Sequence, residues 1–240
     1  MKSRLLLGGI LAGTTIAGGL IDGRGSSLTA NATEVESQQK IEGWGEVTDV
    51  SGQSRVRAEG ARVTLEVPAG SYDLYPDGQK VNAPRLAQDA SGDFTVQVKV
   101  VGTVMGEKGA EAPGRDVAFN AATLVIWQDD RNFVRLDRAG FHKAGTPNHQ
   151  TYYHVYRDGK RTVHEWRPLA ARDTWLRLQR QGTRVTAAWS QDRKSWHSYP
   201  AGNVALADKV KVGVAVLNAS SKAFAATFED LTLTSGKVSK

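Results

Sequence analysis

The sequence predicts an all-β protein, an antiparallel sandwich or barrel, on three observations. Apolar residues recur at alternate positions in segment after segment, the period of a half-buried strand. From Ile41 onward, Gly, Asp or Pro breaks the chain about every 8–12 residues, the turn spacing of such folds. No window sustains the helical period, so many short strands must share one core.

The elements follow in order. Residues 62–67 alternate through Val63, Leu65 and Val67. Asn82-Ala83-Pro84-Arg85 reads as a turn, with Pro84 stiffening Ala83 into an extended form, and it leads into a strand at Leu86-Ala87-Gln88. Residues 94–100 place Phe94, Val96, Val98 and Val100 on one face and Thr95, Gln97 and Lys99 on the other. Residues 102–120 and 139–150 carry Gly, Pro and no clear period, and are expected to be long loops. Between them, Leu124-Val125-Ile126-Trp127 and Phe133-Val134-Arg135-Leu136 flank a polar break and predict a hairpin. Trp127 opposes Leu124 and Ile126 in parity and shares a face with Thr123 and Val125. Residues 152–157 run to Asp158-Gly159, a tight-turn dipeptide. Residues 175–180 turn through Gln181-Gly182-Thr183 into 185–189, and 210–217 and 223–233 close the chain. Ser190 to Ser195 reads as a turn capped by Asp192, between Trp189 and Trp196.

Composition sets the setting. Lys2 and Arg4 precede an uncharged apolar run, residues 5–21, and Ala30-Asn31-Ala32 supplies a small-x-small cleavage pattern, so residues 1–32 are expected to be a secretory signal peptide and the protein to be exported. The alternative, an uncleaved anchor, is weakened by the many glycines in a run shorter than the ~20 residues of a spanning helix. No other segment is long and apolar enough to span a membrane. Residues 33–41 read as a polar tail, 42–235 as one domain and 236–240 as a C-terminal tail. The 240 residues include no cysteine, which excludes disulfides, thiol and Fe–S chemistry and a lipid-modified N-terminus. The formal charge of +6 falls to +4 without residues 1–32 and is spread among interspersed acids and bases, a mild basicity that solubility alone explains, that also suits an anionic glycan or envelope surface, and that argues against nucleic acid.

No cofactor or metal motif is present. A retaining glycosidase needs two carboxyl groups about 5–5.5 Å apart. The one acid-x-acid pair, Glu34/Glu36, falls in the tail. His142, His149, His154, His164 and His197 show neither H-x-H nor HExxH spacing. G-x-S-x-G and phosphate-binding glycine loops are absent. His154, among Tyr152, Tyr153 and Tyr156, is expected to be a surface or edge residue; the alternative is a Tyr–His–Arg lyase set. Six tryptophans remain, Trp44, Trp127, Trp166, Trp175, Trp189 and Trp196. Most should be core, while an indole flanked by Asn, Gln and Arg suits a sugar ring, and Trp127 fits that description.

Six stretches together resemble one family: NAPR (82–85), GDFTVQVKV (92–100), LVIWQDDRNFVRLDR (124–138), WLRLQRQG (175–182), SQDRKSW (190–196) and KVGVAVLNASSKAFAATFEDL (211–231). In that order they resemble the DUF1349, regulation-of-enolase-type family of the concanavalin A-like lectin/glucanase group. The resemblance implies a jelly-roll sandwich of two curved antiparallel sheets, with ligands on the concave sheet. The catalytic Glu-x-Asp-x-Glu strand of the glucanases is missing. The expected role is a non-catalytic glycan- or polysaccharide-binding module of the cell envelope. Its site is expected at Trp127, Gln128, Asn132 and Arg135, with Asn82, Arg85, Gln97, Lys99 and Tyr153 nearby. The alternative is a polysaccharide-acting enzyme using Tyr153 or His154 with Arg135.

Overall fold

The computed structural model describes residues 39–236; the predicted leader, the first six residues of the polar tail and the last four residues lie outside them. The fold is the all-β jelly-roll sandwich, built from two large antiparallel sheets. The nine-stranded sheet runs in the order Lys40–Ile41, Gly45–Thr48, Arg85–Ser91, Lys209–Ser220, Phe119–Asp129, Asn132–Lys143, Thr146–Arg157, Lys160–Pro168, with Gly70–Tyr72 also pairing on Lys209–Ser220. The eight-stranded sheet runs His197–Ser198, Arg184–Ser190, Thr174–Gln181, Phe94–Val100, Phe224–Ser235, Arg62–Val67, Arg55–Glu59, with Gly202–Asn203 also on Arg184–Ser190. Among the described residues a 3₁₀ turn at Pro76–Gly78 is the helical element, and no helix there is long and apolar enough to cross a membrane.

Alternation builds the core. Leu124, Ile126, Val134, Leu136, Val212 and Val214 project inward from one sheet against Val96, Val98, Leu176, Leu178, Leu65 and Phe228 from the other, all fully buried. Each such side chain contributes about 1.5–3 kcal/mol when removed from water, so the core needs no covalent staple.

The structure corrects three local expectations. Residues 139–150 are not a loop: Asn132–Lys143 and Thr146–Arg157 stay paired out to Lys143↔Thr146. They turn through Ala144 and Gly145, both at positive φ (49° and 79°), the conformation that a two-residue hairpin turn requires. Gly140 is small for another reason. A Cβ there would overlap the Val104 carbonyl oxygen, so its absence lets the 101–118 connection lie against the sheet. Phe119 and Asn120, read as the end of a loop, begin a central strand. Lys40–Ile41, read as tail, pairs with Gly45–Thr48.

Across the outer face of the nine-stranded sheet lies the segment 72–84. It forms a small hairpin, Leu74–Tyr75 against Lys80–Val81. Leu74 and Ala83 cover a second apolar cluster with Val125, Trp127, Phe133, Tyr156, Ala215 and Leu217. This outer layer fills the centre of the face and leaves a hollow to either side of the packed rings.

Candidate functional site

The larger hollow, about 720 Å³, is lined by Thr48, Arg85, Ala87, Asp89, Trp127, Gln128, Lys209 and Lys211, among others. Register explains it. Asp89, Lys211 and Trp127 form one cross-strand row, and Ala87, Gly213 and Val125 form the next. Ala87 and Gly213 contribute almost no side-chain volume, so the sheet is bare between taller neighbours. A Cβ on Gly213 would overlap the Leu86 carbonyl oxygen and crowd Ala87, so glycine is needed at that position.

Trp127 lies on the outer face, on the side opposite Leu124 and Ile126. It is 8% exposed. Phe133, its partner on the next strand, stacks on the indole with centroids 4.5 Å apart, and Tyr156 continues the stack at 4.6 Å. From the other direction the Arg85 guanidinium lies 4.0 Å from the ring centroid. The expectation of an open indole platform is therefore corrected: Phe133 from the adjacent strand and Arg85 from two strands away on the other side cover the ring, and Trp127 forms a wall of the hollow. Gln128 lines the same hollow while its Oε1 accepts from the Ala207 amide at 2.7 Å.

The smaller hollow, about 400 Å³, is lined by residues including Asp73, Tyr75, Arg115, Arg135, Tyr152, His154, Arg161 and His164. Arg135 is buried. It donates from Nε to His154 Nδ1 at 2.9 Å and from Nη1 to Asp73 Oδ1 at 3.1 Å and the Leu74 carbonyl at 2.9 Å. Its Nε is also 3.4 Å from Asp137. Burial disfavours its charge, but the Asp137 and Asp73 carboxylates outweigh burial and push its pKa above the ordinary value. Burial in turn pushes Asp137 up to about 6, against the pull of Arg135 and the Thr123 hydroxyl. Arg135 thus pins the 72–84 segment to the sheet.

His154 is not a surface or edge residue. It is buried, and its Nε2 lies 2.6 Å from His164 Nδ1. Because Nδ1 accepts from Arg135, the His154 proton sits on Nε2 and points at His164. Burial, with Arg135 and His164 adding repulsion, holds its pKa well below the ordinary imidazole value. The second imidazole shifts the same way, through burial and Arg161. Burial also pushes the Tyr152 phenol to about 12.

Other expected site residues lie elsewhere. Gln97 and Lys99 project from Phe94–Val100 in the eight-stranded sheet, and Lys99 pairs with Asp173 at 2.7 Å and Glu229 at 3.1 Å. Alternation showed which side they take but not which sheet they belong to. Tyr153 points into the sandwich core, with its hydroxyl donating to the Val185 carbonyl at 3.1 Å. Asn82 closes a turn, accepting from the Asp73 amide and donating to the Ser71 carbonyl. Asn132 caps the hairpin end with Asp129 and Asp158. Of the nine expected residues, Trp127, Gln128 and Arg85 meet at the larger hollow, and Arg135 lies at the smaller one.

Tyr152, His164, Arg161 and Asp73 were not expected at a site. Trp166 was named only among the tryptophans, yet it is 48% exposed and pairs in register with Tyr152, which puts it on the outer face. Among the described residues no group of three or more His, Cys, Asp and Glu is placed to hold a metal ion.

Solved structures resemble this fold, two of them as follows. A functionally unknown protein from Saccharomyces cerevisiae matches at 19% identity and TM-score 0.58, covering 80% of this chain and all of that one. The GH43 protein BlXynB from Bacillus licheniformis matches at 14% identity and TM-score 0.56, covering 78% of this chain but 35% of that one. No curated protein matches the sequence. The family model described as "Protein of unknown function (DUF1349)" matches residues 55–236, most of the chain and nearly all of both sheets; the protein belongs to the DUF1349 family.

Proposed function

We propose that this protein is a non-catalytic glycan-binding module that acts at the larger hollow of the nine-stranded sheet. The observation that carries the reading is the hollow itself. It is an open depression of ligand-site size, floored by Ala87 and walled by an indole, a guanidinium, an amide and two ammonium groups. Such a surface supplies apolar contact for a ring face and fixed donors for hydroxyls. The likeness to part of a GH43 protein supports a carbohydrate setting for the fold. Export, proposed from Lys2, Arg4, the apolar run 5–21 and Ala30-Asn31-Ala32, would place the module where polysaccharides are met. A glycan array followed by titration calorimetry tests it. Binding of at least one saccharide at millimolar concentration or tighter, weakened about tenfold by Gln128→Ala, is expected. Failure of every saccharide to bind overturns the reading.

One observation favours a second reading, a polysaccharide-acting enzyme: Tyr152, His154, His164 and Arg135 converge on the smaller hollow. Both nitrogens of His154 are already engaged, which leaves it poorly suited as a base. Incubation with uronate and β-glucan polymers, followed by reducing ends and unsaturated-sugar absorbance, decides between the two. Product formation abolished by His164→Ala would establish the enzyme.

A further inference from the structure

Among the described residues four arginines are buried: Arg85, Arg135, Arg138 and Arg180. Two are well partnered. Arg135 has two carboxylates, a carbonyl and an imidazole. Arg180 donates to the carbonyls of Gly182, Leu206, Ala207 and Asp208. Arg138 reaches the carbonyls of Ala139 and Ala170 and the His149 ring, but its Nε is buried without a partner, and it does not line the larger hollow.

Arg85 differs. It is 8% exposed, yet its guanidinium, with five N–H donors, makes one long hydrogen bond, from Nη1 to the Ala83 carbonyl at 3.4 Å. Among the described residues no carboxylate lies within ion-pairing distance. Asp130 acts on it only through space, and burial lowers its pKa. Its flat face is taken by Trp127 at 4.0 Å, and the group lines the larger hollow. Its unmet donors are not among the sealed-off polar atoms that lack a partner, so they open on the hollow, where an anion can meet them. The surroundings favour an anion. The charged side chains of the lining are Arg85, Lys209 and Lys211 against Asp89 alone. Lys211 is held by Asp89 and Glu46 at 3.1 and 3.2 Å, while Lys209 makes no ion pair among the described residues.

We infer that the hollow recognises an acidic sugar, a residue bearing a ring carboxylate, and that Arg85 is the group that reads the carboxylate. This deepens the glycan-binding reading and rests on it. The planar fork of a guanidinium matches the two oxygens of a carboxylate. Stacking on Trp127 holds that fork in one plane, so little freedom is lost when the ligand binds. Lys209 adds long-range attraction. Gln128, which also lines the hollow, accepts from the Ala207 amide and donates to Asp129, which leaves one Nε2 hydrogen for a ligand hydroxyl. A single unpaired guanidinium suits a monoanion, which favours a carboxylate over a phosphate dianion.

Titration calorimetry with a galacturonate oligosaccharide, a neutral galactose oligosaccharide of equal length and a sulfated counterpart tests this, with circular dichroism confirming that each variant folds. The galacturonate is expected to bind at least tenfold tighter than the neutral chain, with the difference shrinking as salt rises. In Arg85→Gln its affinity falls to that of the neutral chain, and Arg85→Lys, which keeps the charge but loses the fork, falls between. Equal wild-type affinity for acidic and neutral chains overturns the inference and leaves glycan binding standing. So does acid preference that survives in Arg85→Gln, and so does preference for the sulfated chain over the carboxylated one. Binding of none of the three overturns both.

Discussion

Arg85 and His154 are both buried, and each makes a prediction through what surrounds it. Arg85 has a stacking partner but, among the described residues, no carboxylate within ion-pairing distance, and Asp130 acts on it only from farther off. Arg85→Met keeps the length and the contact with Trp127 and removes an uncompensated charge, against a lost cation–π contribution of about 0.5–2 kcal/mol. Stability should therefore stay within about 1 kcal/mol of wild type or rise, a change of no more than a few degrees downward in melting temperature. A loss above about 2 kcal/mol would make Arg85 a structural keystone instead. The contrast is Tyr153→Phe, which leaves the buried Val185 carbonyl without its donor. It should cost about 1–3 kcal/mol by chemical denaturation and leave saccharide affinity untouched. His154 makes a pH prediction. The unfolded imidazole takes up a proton near pH 6.5, whereas burial and Arg135 hold the folded ring neutral to lower pH. The unfolded state then binds more protons, so stability falls as pH drops through 6.5. Asp137 acts in the opposite sense. Its folded value of about 6 exceeds the unfolded one, so protonation below pH 6 favours the fold. The loss should therefore be clearest between pH 7 and 6, be smaller in His154→Gln, and coincide with a His154 ring that does not titrate in an NMR series above pH 6.5. A ring that does titrate there contradicts the burial argument.

At the scale of elements, the strands were legible wherever one face is core and the other is wet. Arg62–Val67 and Phe94–Val100 alternate buried and half-buried along their length. Their sequence pattern therefore reports the pleat directly. The extended hairpin through 139–150 was hidden because Gly140 and Pro147 look like turn punctuation. Gly140 instead answers to the Val104 carbonyl, a contact made by a segment more than thirty residues earlier. The pairing of His154 with His164 was hidden by a one-residue shift. Counting outward from Asp158-Gly159 pairs Tyr156 with Arg161, but a bulge between Val155 and Tyr156 then moves the register by one. Gly213 offers the sharpest test at this scale. Gly213→Ala forces its Cβ against backbone atoms of the neighbouring strand. It should cost about 1–3 kcal/mol, as overpacking does, measured as a lower denaturation midpoint with an unchanged slope. A neutral effect would mean that the two strands can separate there freely.

The whole molecule is a sandwich whose two outer faces differ, and the proposed glycan site rests on that difference. The sandwich itself could be anticipated from alternation and turn spacing, and its family from six motifs. The site could be anticipated only in part. Trp127, Gln128 and Arg85 were expected together and do meet, because parity placed the first on the outer face and Pro84 fixed the entry to the strand carrying the last. Gln97, Lys99 and Tyr153 could not be separated from them, since no local pattern says which sheet a strand joins or which side is the interior. The missing counter-ion of Arg85 was equally out of reach, because it depends on strands Lys209–Ser220 and Gly45–Thr48, distant in sequence, which bring no carboxylate within ion-pairing distance. The most direct test of the glycan-binding account is amide and indole chemical-shift mapping during titration with a galacturonate oligosaccharide. Shifts concentrated at 85–91, at the Trp127 indole N–H and Gln128, and at 209–211 are the result it predicts. Shifts confined to the opposite sheet, around Trp196 and the Arg177 guanidinium 3.7 Å from its ring centroid, or none at millimolar ligand, would contradict it.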